Sequence, residues 1–313
     1  MQPLISICIP AYKNEIFFKR LMDSIVIQNF KDFEVIITDD SPDKSISYLC
    51  DKYKNYFPLV YYWNESSLGT PANWNYAISK AKGDWIKIMH ADDWFESENS
   101  LLGFAQATKL GFSFIFSEYY NIKSDNNVYQ KIKLSKVELS LLKASPYNLF
   151  KKNTIGPPST TLIKRSDNKL LYDENIKWVV DFEYYIRYLS LKNSFTYIAK
   201  PLVNIGIHEG QVTKKSFRIK EVEIPENIYL INKIETKHLK NIFVFDYYWR
   251  LLRNLRITDI EDFSPFIDIK TVPIQIKKMM KIQSYFSFVI LKKGIFSKTL
   301  MSIFFLLNYV KKA

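Results

Sequence analysis

The stretch "MHADDWF", residues 89–95, sets Asp92 and Asp93 side by side directly after the apolar run "WIKIM". Adjacent like charges beside a core are costly unless something compensates them. Carboxylate oxygens are hard donors that suit Mg²⁺ or Mn²⁺. A divalent ion held there would neutralise a departing diphosphate. The plain alternative is a solvated or helix-capping turn. A position behind a buried strand favours the metal. A second pair, Asp39-Asp40, ends the run "FEVIIT" and is followed by Ser41-Pro42-Asp43. Asp, Ser and Pro all favour turns, so a turn is one reading. The other is an acceptor for an N–H of a nucleotide base, with the Tyr12 ring available to stack on that base.

These residues need a scaffold, and the chain supplies one. "LISICI" (4–9), "FEVIIT" (33–38), "PLVYYW" (58–63), "DWIKIM" (84–89) and "FSFIFS" (112–117) are short apolar runs rich in β-branched and aromatic residues. Between them lie "EIFFKRLMDSIVIQ" (15–28), "SISYLCDKY" (45–53), "PANWNYAISKA" (71–81) and "SLLGFAQATKL" (100–110), which have helical spacing. Strand and helix alternate, which predicts an α/β unit with a mainly parallel sheet. Ligands of such sheets bind beyond the carboxyl ends of the strands. Pro10-Ala11-Tyr12, Asp39-Asp40 and His90-Ala91-Asp92-Asp93 each follow a strand, so all three fall on one edge.

Farther along, "SDNNVYQKIKLSKVELS" reads as a turn and polar connector, and Gly156-Pro157-Pro158 as a bend before the strand "TTLI". "VVDFEYYIRYLSLK" (179–192) is amphipathic, and "SFTYIAKPLVNIGIHEGQVT" (194–213) predicts a strand or two and a Gly-containing loop. From 214 onward the chain reads as helical.

Composition narrows the classes. The chain has 313 residues, 47% hydrophobic and 24% charged, which is globular rather than disordered. Cys8 and Cys50, without paired spacing, read as free thiols of a reducing compartment. The opening "MQPLISICIPAY" enters a strand at once and has no signal-peptide pattern, so a cytoplasmic location is expected. The formal charge is +12, yet residues 1–110 carry 11 basic and 14 acidic side chains. An acidic first third has no face for phosphate tracking, so no nucleic-acid partner is expected.

The excess charge sits at the other end, where residues 270–313 carry nine lysines and no acid. In "SYFSFVILKKGIFSKTLMSIFFLLNYVKKA" the uninterrupted apolar part is too short for a bilayer span, which needs roughly 20 residues. A basic helix with a broad apolar face suits an anionic membrane surface; packing on the catalytic domain or another subunit is the alternative.

Taken together, "ISICIPAYKNE", "FEVIITDDSPD", "SLGTPANWNYAISKAKGDWIKIMHADD" and "WVVDFEYYIRY" resemble family 2 glycosyltransferases of the GT-A fold, of the bacterial polysaccharide and O-antigen type. The resemblance is close over 4–120 and looser over 155–213. It implies a Rossmann-like sheet flanked by helices, with a catalytic domain over 1–213 (a nucleotide-binding half, 1–118, and an acceptor-side half, 119–213). A helical region, 214–313, follows. It implies that Pro10, Ala11 and Tyr12 contact the nucleoside, with Glu15 near that loop. Asp40 matches the aspartate that binds the base edge, and Gly69 and Asn75 match the segment beside the phosphates. Lys82-Gly83 precedes the fourth strand in the family manner. Asp92 matches the metal-binding aspartate, next to Ala91. His90 stands where the family commonly has the first aspartate of D-x-D, and Trp74 where many members have Arg. His208 resembles part of a loop that closes over the diphosphate.

By the same resemblance Asp181 is the catalytic base, with Glu183 as the backup; an ordinary helix-capping acid is the other reading. The implied reaction is a single inverting displacement. A sugar moves from a nucleotide donor, UDP first and dTDP or GDP next, to a hydroxyl of a glycan or polyprenyl-linked acceptor, with Mn²⁺ or Mg²⁺ at Asp92. The expected place is the inner face of the cytoplasmic membrane. A nucleotidyltransferase would want a glycine-rich phosphate loop, which "PAYKNE" lacks. A membrane-bound scaffold with a decayed nucleotide site is the non-enzyme alternative.

Overall fold

The computed structural model describes residues 2–123, 128–165, 171–192, 194–210 and 217–309. The turn expected at 124–127 and the end of the Gly-containing loop at 211–213 lie outside them. The chain divides into two compact units. One comprises Met1–Leu139, Thr154–Tyr184 and Leu191–Glu209; the other comprises Ser140–Asn153, Tyr185–Ser190 and Gly210–Ala313.

The first unit opens as its apolar runs dictate: β1 (Ile5–Ala11), α1 (Glu15–Val26), β2 (Phe33–Asp39), α2 (Ser45–Tyr53), β3 (Leu59–Trp63), α3 (Ala72–Lys80) and β4 (Trp85–Ile88). β1 lies between β2 and β4, and β2 pairs β3, all in parallel. β1 is covered on both faces, which explains its continuous apolar run. Phe18, Leu21, Met22 and Ile25 of α1 are all buried in the core beneath it.

Then come β5 (Trp94–Phe95), α4 (Ser100–Ala107), β6 (Phe114–Lys123), β7 (Val128–Ile132), α5 (Lys136–Ala144), β8 (Thr161–Lys164), α6 (Val180–Lys192) and β9 (Phe195–Ile207). Among the described residues the sheet has nine strands in the order β3-β2-β1-β4-β8-β6-β9-β5, with β7 against β6. Its second half is mixed. β8 runs antiparallel to both β4 and β6, β6 and β9 are parallel, and β5 is antiparallel to β9. The polar connector therefore includes a strand, β7. Its alternation escapes notice because it sits at a sheet margin, paired only through β6. The strand or two expected over 194–213 is one long strand. Its register slips where Ser117 faces Ile198 but Glu118 faces Pro201. The ring of Pro201 cannot donate to a ladder.

The second unit contains α7 (Lys220–Lys233), α8 (Ile242–Leu255), α9 (Ile274–Ser284), α10 (Phe288–Lys292) and α11 (Gly294–Tyr309). Phe245, Tyr248, Trp249 and Leu252 of α8 are buried at its centre. No helix among the described residues is long and apolar enough to cross a membrane.

Candidate active site

The parallel register sets Pro10 opposite Thr38 and Ala11 opposite Asp39, so the carboxyl ends of β1 and β2 lie side by side. Tyr12 stands beyond them, 57% exposed, with Lys13 Nζ 5.0 Å from its ring centroid. Glu15 is exposed in the first turn of α1. Asp39 is buried and accepts from the Ser41 amide (2.9 Å) and the Tyr61 hydroxyl (2.8 Å). Asp40 is buried too. Its Oδ1 accepts from Asn64 Nδ2 (2.7 Å) and the Leu68 amide (3.0 Å), and its Oδ2 from the Gly69 amide (2.8 Å). Asp40 thus shapes the 64–69 loop, and Oδ2 keeps a lone pair for a further donor. Gly69 has φ +72°, where a side chain is disfavoured.

Asn75 is buried. Its Nδ2 donates to the Tyr172 carbonyl and to Glu174 Oε1, both at 2.9 Å, while its Oδ1 accepts from the Tyr172 amide at 2.9 Å. This side chain braces the 172–174 segment. Lys82 does not join the group at all. Its amide donates to Glu34 Oε1 (2.7 Å), and it precedes β4, whose Trp85 pairs with Ile5. Lys82 therefore lies at the amino ends of the parallel strands, about six residues or ~20 Å of strand from the edge where Tyr12 stands.

The 90–93 turn follows β4. His90, Asp92 and Asp93 each offer one ligand atom, and these atoms lie within 4.8 Å of one another. Ala91 is the half-buried spacer between them. The two aspartates have different surroundings. Asp93 is 2% exposed; its Oδ1 accepts from the Gly206 amide (3.1 Å) and its carboxylate from Ser159. Burial, then the neighbouring Asp92 charge, push its carboxyl well above the usual range. Asp92 is more open, and His208 Nε2 lies 3.0 Å from its Oδ2. Burial pushes Asp92 up as well, but the His208 hydrogen bond foremost holds its carboxyl below the ordinary value.

His90 Nε2 is buried without a partner, and burial lowers the imidazole pKa, which leaves a neutral ring. A neutral imidazole and two carboxylates, one reluctant to ionise unless a cation is near, fit a divalent metal. This also resolves the cost of adjacent aspartates: one is matched by a histidine from a distant strand end, the other by donors inside the core.

Asp181 is the second residue of α6, and its Oδ1 accepts from the Phe182 amide (2.8 Å). Burial raises its carboxyl to about 6. Asp181 and Asp93 both act electrostatically on the Tyr119 hydroxyl, whose pKa burial raises first. A Cβ at Gly156 would lie 2.6 Å from the Tyr119 ring, so this glycine gives the ring its place. Glu183, two residues later, is fully buried.

Four supporting residues escape a reading by motif. Arg20 of α1 donates to the Asp92 carbonyl (2.8 Å) and lies 3.5 Å over the Trp94 ring. Phe17 flanks His208 at 4.7 Å between centroids. Lys87, fully buried in β4, donates to the Ser159 carbonyl and, at 3.2 Å, to that of Thr161; burial lowers its pKa well below the ordinary value. Ser159 Oγ accepts from the His90 amide (3.0 Å). The signal for Lys87 was present, a lysine inside a buried run. Trp74, in the place of a cation, packs its ring 4.7 Å from His90 and 5.1 Å from Tyr172.

A helix-flanked α/β sheet with the His90, Asp92 and Asp93 ligand atoms gathered just after β4 is the class of fold these observations define. The chain belongs to glycosyl transferase family 2, whose family model matches residues 6–171. The fold is GT-A, and the chain is a glycosyltransferase. It is 26% identical over 268 residues to chondroitin synthase of Escherichia coli, covering 81% of this chain and 35% of that one. This chain thus spans about a third of that relative.

Among solved structures, S. aureus TarS 1–349 in complex with UDP-GlcNAc superposes with TM-score 0.63 at 18% identity, over 88% of this chain and 83% of that one. The mannosyltransferase PcManGT of Pyrobaculum calidifontis, in complex with GDP-Man and Mn²⁺, gives 0.55 at 13% identity, over 100% and 87%. These two likenesses concern the fold.

Proposed function

We propose that the chain transfers a sugar from a nucleotide-sugar donor, UDP-linked by preference, to a hydroxyl of a glycan or lipid-linked saccharide, with inversion at the anomeric carbon. The setting is surface polysaccharide synthesis at the inner face of the cytoplasmic membrane. The observation that carries this reading is the convergence of His90, Asp92, Asp93 and His208 at the sheet edge.

Tyr12 stacks on the base and Asp40 Oδ2 accepts from its edge. Pro10 and Ala11 shape that pocket, and Gly69 brings its loop close. Asp92, with His90 and Asp93, would hold Mn²⁺ or Mg²⁺, and such an ion supplies charge neutralisation for the leaving diphosphate. His208, flanked by Phe17, orients the Asp92 carboxylate.

Asp181 takes the proton of the acceptor hydroxyl. The acceptor oxygen then bonds to the anomeric carbon as the bond from that carbon to the diphosphate oxygen breaks. A single base suits this displacement, because a covalent sugar intermediate would need a nucleophile on the opposite face.

Calorimetric titration with UDP, GDP and dTDP, with and without Mn²⁺, tests the reading on the wild-type chain and on Asp92→Ala. Metal-dependent binding of UDP that vanishes in the variant supports it. Binding that ignores both metal and substitution removes the metal site, and no binding of any nucleotide removes the donor assignment.

A further inference from the structure

Helix α11 of the second unit has two unlike faces. Ser297, Met301 and Phe305, at successive fourth positions, are buried. Ser297 Oγ accepts from Trp249 Nε1 (3.1 Å), and the Phe305 ring lies 5.2 Å from that of Phe245, so this stripe packs on α8. On the opposite side Ile295 is 88% exposed, Ile303 51% and Leu306 50%. Spacings of eight and eleven residues keep these three on one stripe. Val289 and Ile290 of α10, just before it, are exposed as well. Single exposed apolar residues are ordinary, but a run of them along one stripe and the preceding helix is, among the described residues, an unpartnered apolar surface.

The charges around this surface choose its occupant. Lys292, Lys293 and Lys298 stand exposed among these apolar residues, and Lys278 and Lys281 are exposed on α9. Residues 270–313 contain no acid. A second copy of the chain would bring the same lysines against these lysines, a like-charge juxtaposition that disfavours self-pairing. An anionic lipid leaflet satisfies both features, taking the apolar stripe at the acyl boundary and the ammonium groups among the headgroups. At 16 residues α11 is about 24 Å long, and it suits lying in the interface plane.

We infer that the exposed face of α10 and α11 is a seat for an anionic membrane surface, held by Ile295, Ile303 and Leu306 and by Lys292, Lys293 and Lys298. This deepens the membrane-proximal setting proposed above and rests on it, while the vesicle assay is independent of the transfer chemistry.

The test is co-sedimentation of the full chain with vesicles of phosphatidylcholine, alone or mixed with phosphatidylglycerol. Two variants change only exposed side chains: Ile295→Glu with Ile303→Glu, and Lys292→Gln, Lys293→Gln and Lys298→Gln together. The wild type is expected on the anionic vesicles only. Each variant should bind them at least about tenfold more weakly, the lysine variant about 100-fold at low salt. Absence of wild-type binding to either vesicle, or binding that both variants leave intact, overturns the proposal. So does a dimer in light scattering that the double glutamate variant disperses while vesicles remain unbound. Nucleotide titration of the same proteins keeps the readings apart, since failure to bind nucleotide with vesicle binding intact would count against the transferase chemistry alone.

Discussion

His208 Nε2 lies 3.0 Å from Asp92 Oδ2 across 116 positions of chain. The contact joins the end of β9 to the turn after β4 and sets the His208 ring against the carboxylate proposed to hold the metal. His208→Ala should therefore weaken Mn²⁺-dependent UDP binding by about 10- to 100-fold, the usual cost of losing a group that orients a metal ligand. Titration with and without Mn²⁺ is the check; an equal loss in both conditions would point to diphosphate contact alone.

Asp181→Asn should lower kcat by about 10²- to 10⁴-fold while UDP affinity stays the same. The wild-type rate should rise with pH through about 6, where burial places this carboxyl, because only the ionised form accepts a proton. A flat profile between pH 5 and pH 7 would sink Asp181 as the base.

The same shift has a stability consequence of the opposite sign. The folded-state pKa is raised above the unfolded value near 4, so the contribution of Asp181 is fully present below that value and is lost as pH rises through about 6. Asn at this position should thus be more stable than Asp at neutral pH, by about 1–3 kcal/mol. The gap should close below about pH 4, as read by denaturant titration at both pH values.

Gly206→Ala would drive a Cβ into the Asp92 carbonyl oxygen, and that atom is backbone, pinned by Arg20. The expected result is a loss of about 1–3 kcal/mol in stability together with weaker metal-dependent nucleotide binding. Urea denaturation and calorimetry on the one variant would show both; unchanged values would mean that the Asp92 turn yields freely.

Asp40→Asn would set an amide group against three donors, from Asn64, Leu68 and Gly69. One half-buried donor then loses its acceptor, at about 1 kcal/mol. Faster proteolysis within 64–69 is the expected sign, along with weaker nucleotide binding.

The amino-acid sequence by itself determined the alternating strands and helices up to β4, because their side-chain periods are local properties of the chain. That alternation was enough to bring Pro10-Ala11-Tyr12, Asp39-Asp40 and His90–Asp93 to one edge. The tertiary structure alone decided the rest. Asn75 became a brace for Tyr172, Lys82 fell at the far ends of the strands, and β5, two residues long, had too little pattern to register. Nothing local distinguishes Asp92 from Asp93. Their roles separated only when β9 brought the Gly206 amide to one and His208 to the other, since such pairings depend on how distant segments pack rather than on any period along the chain.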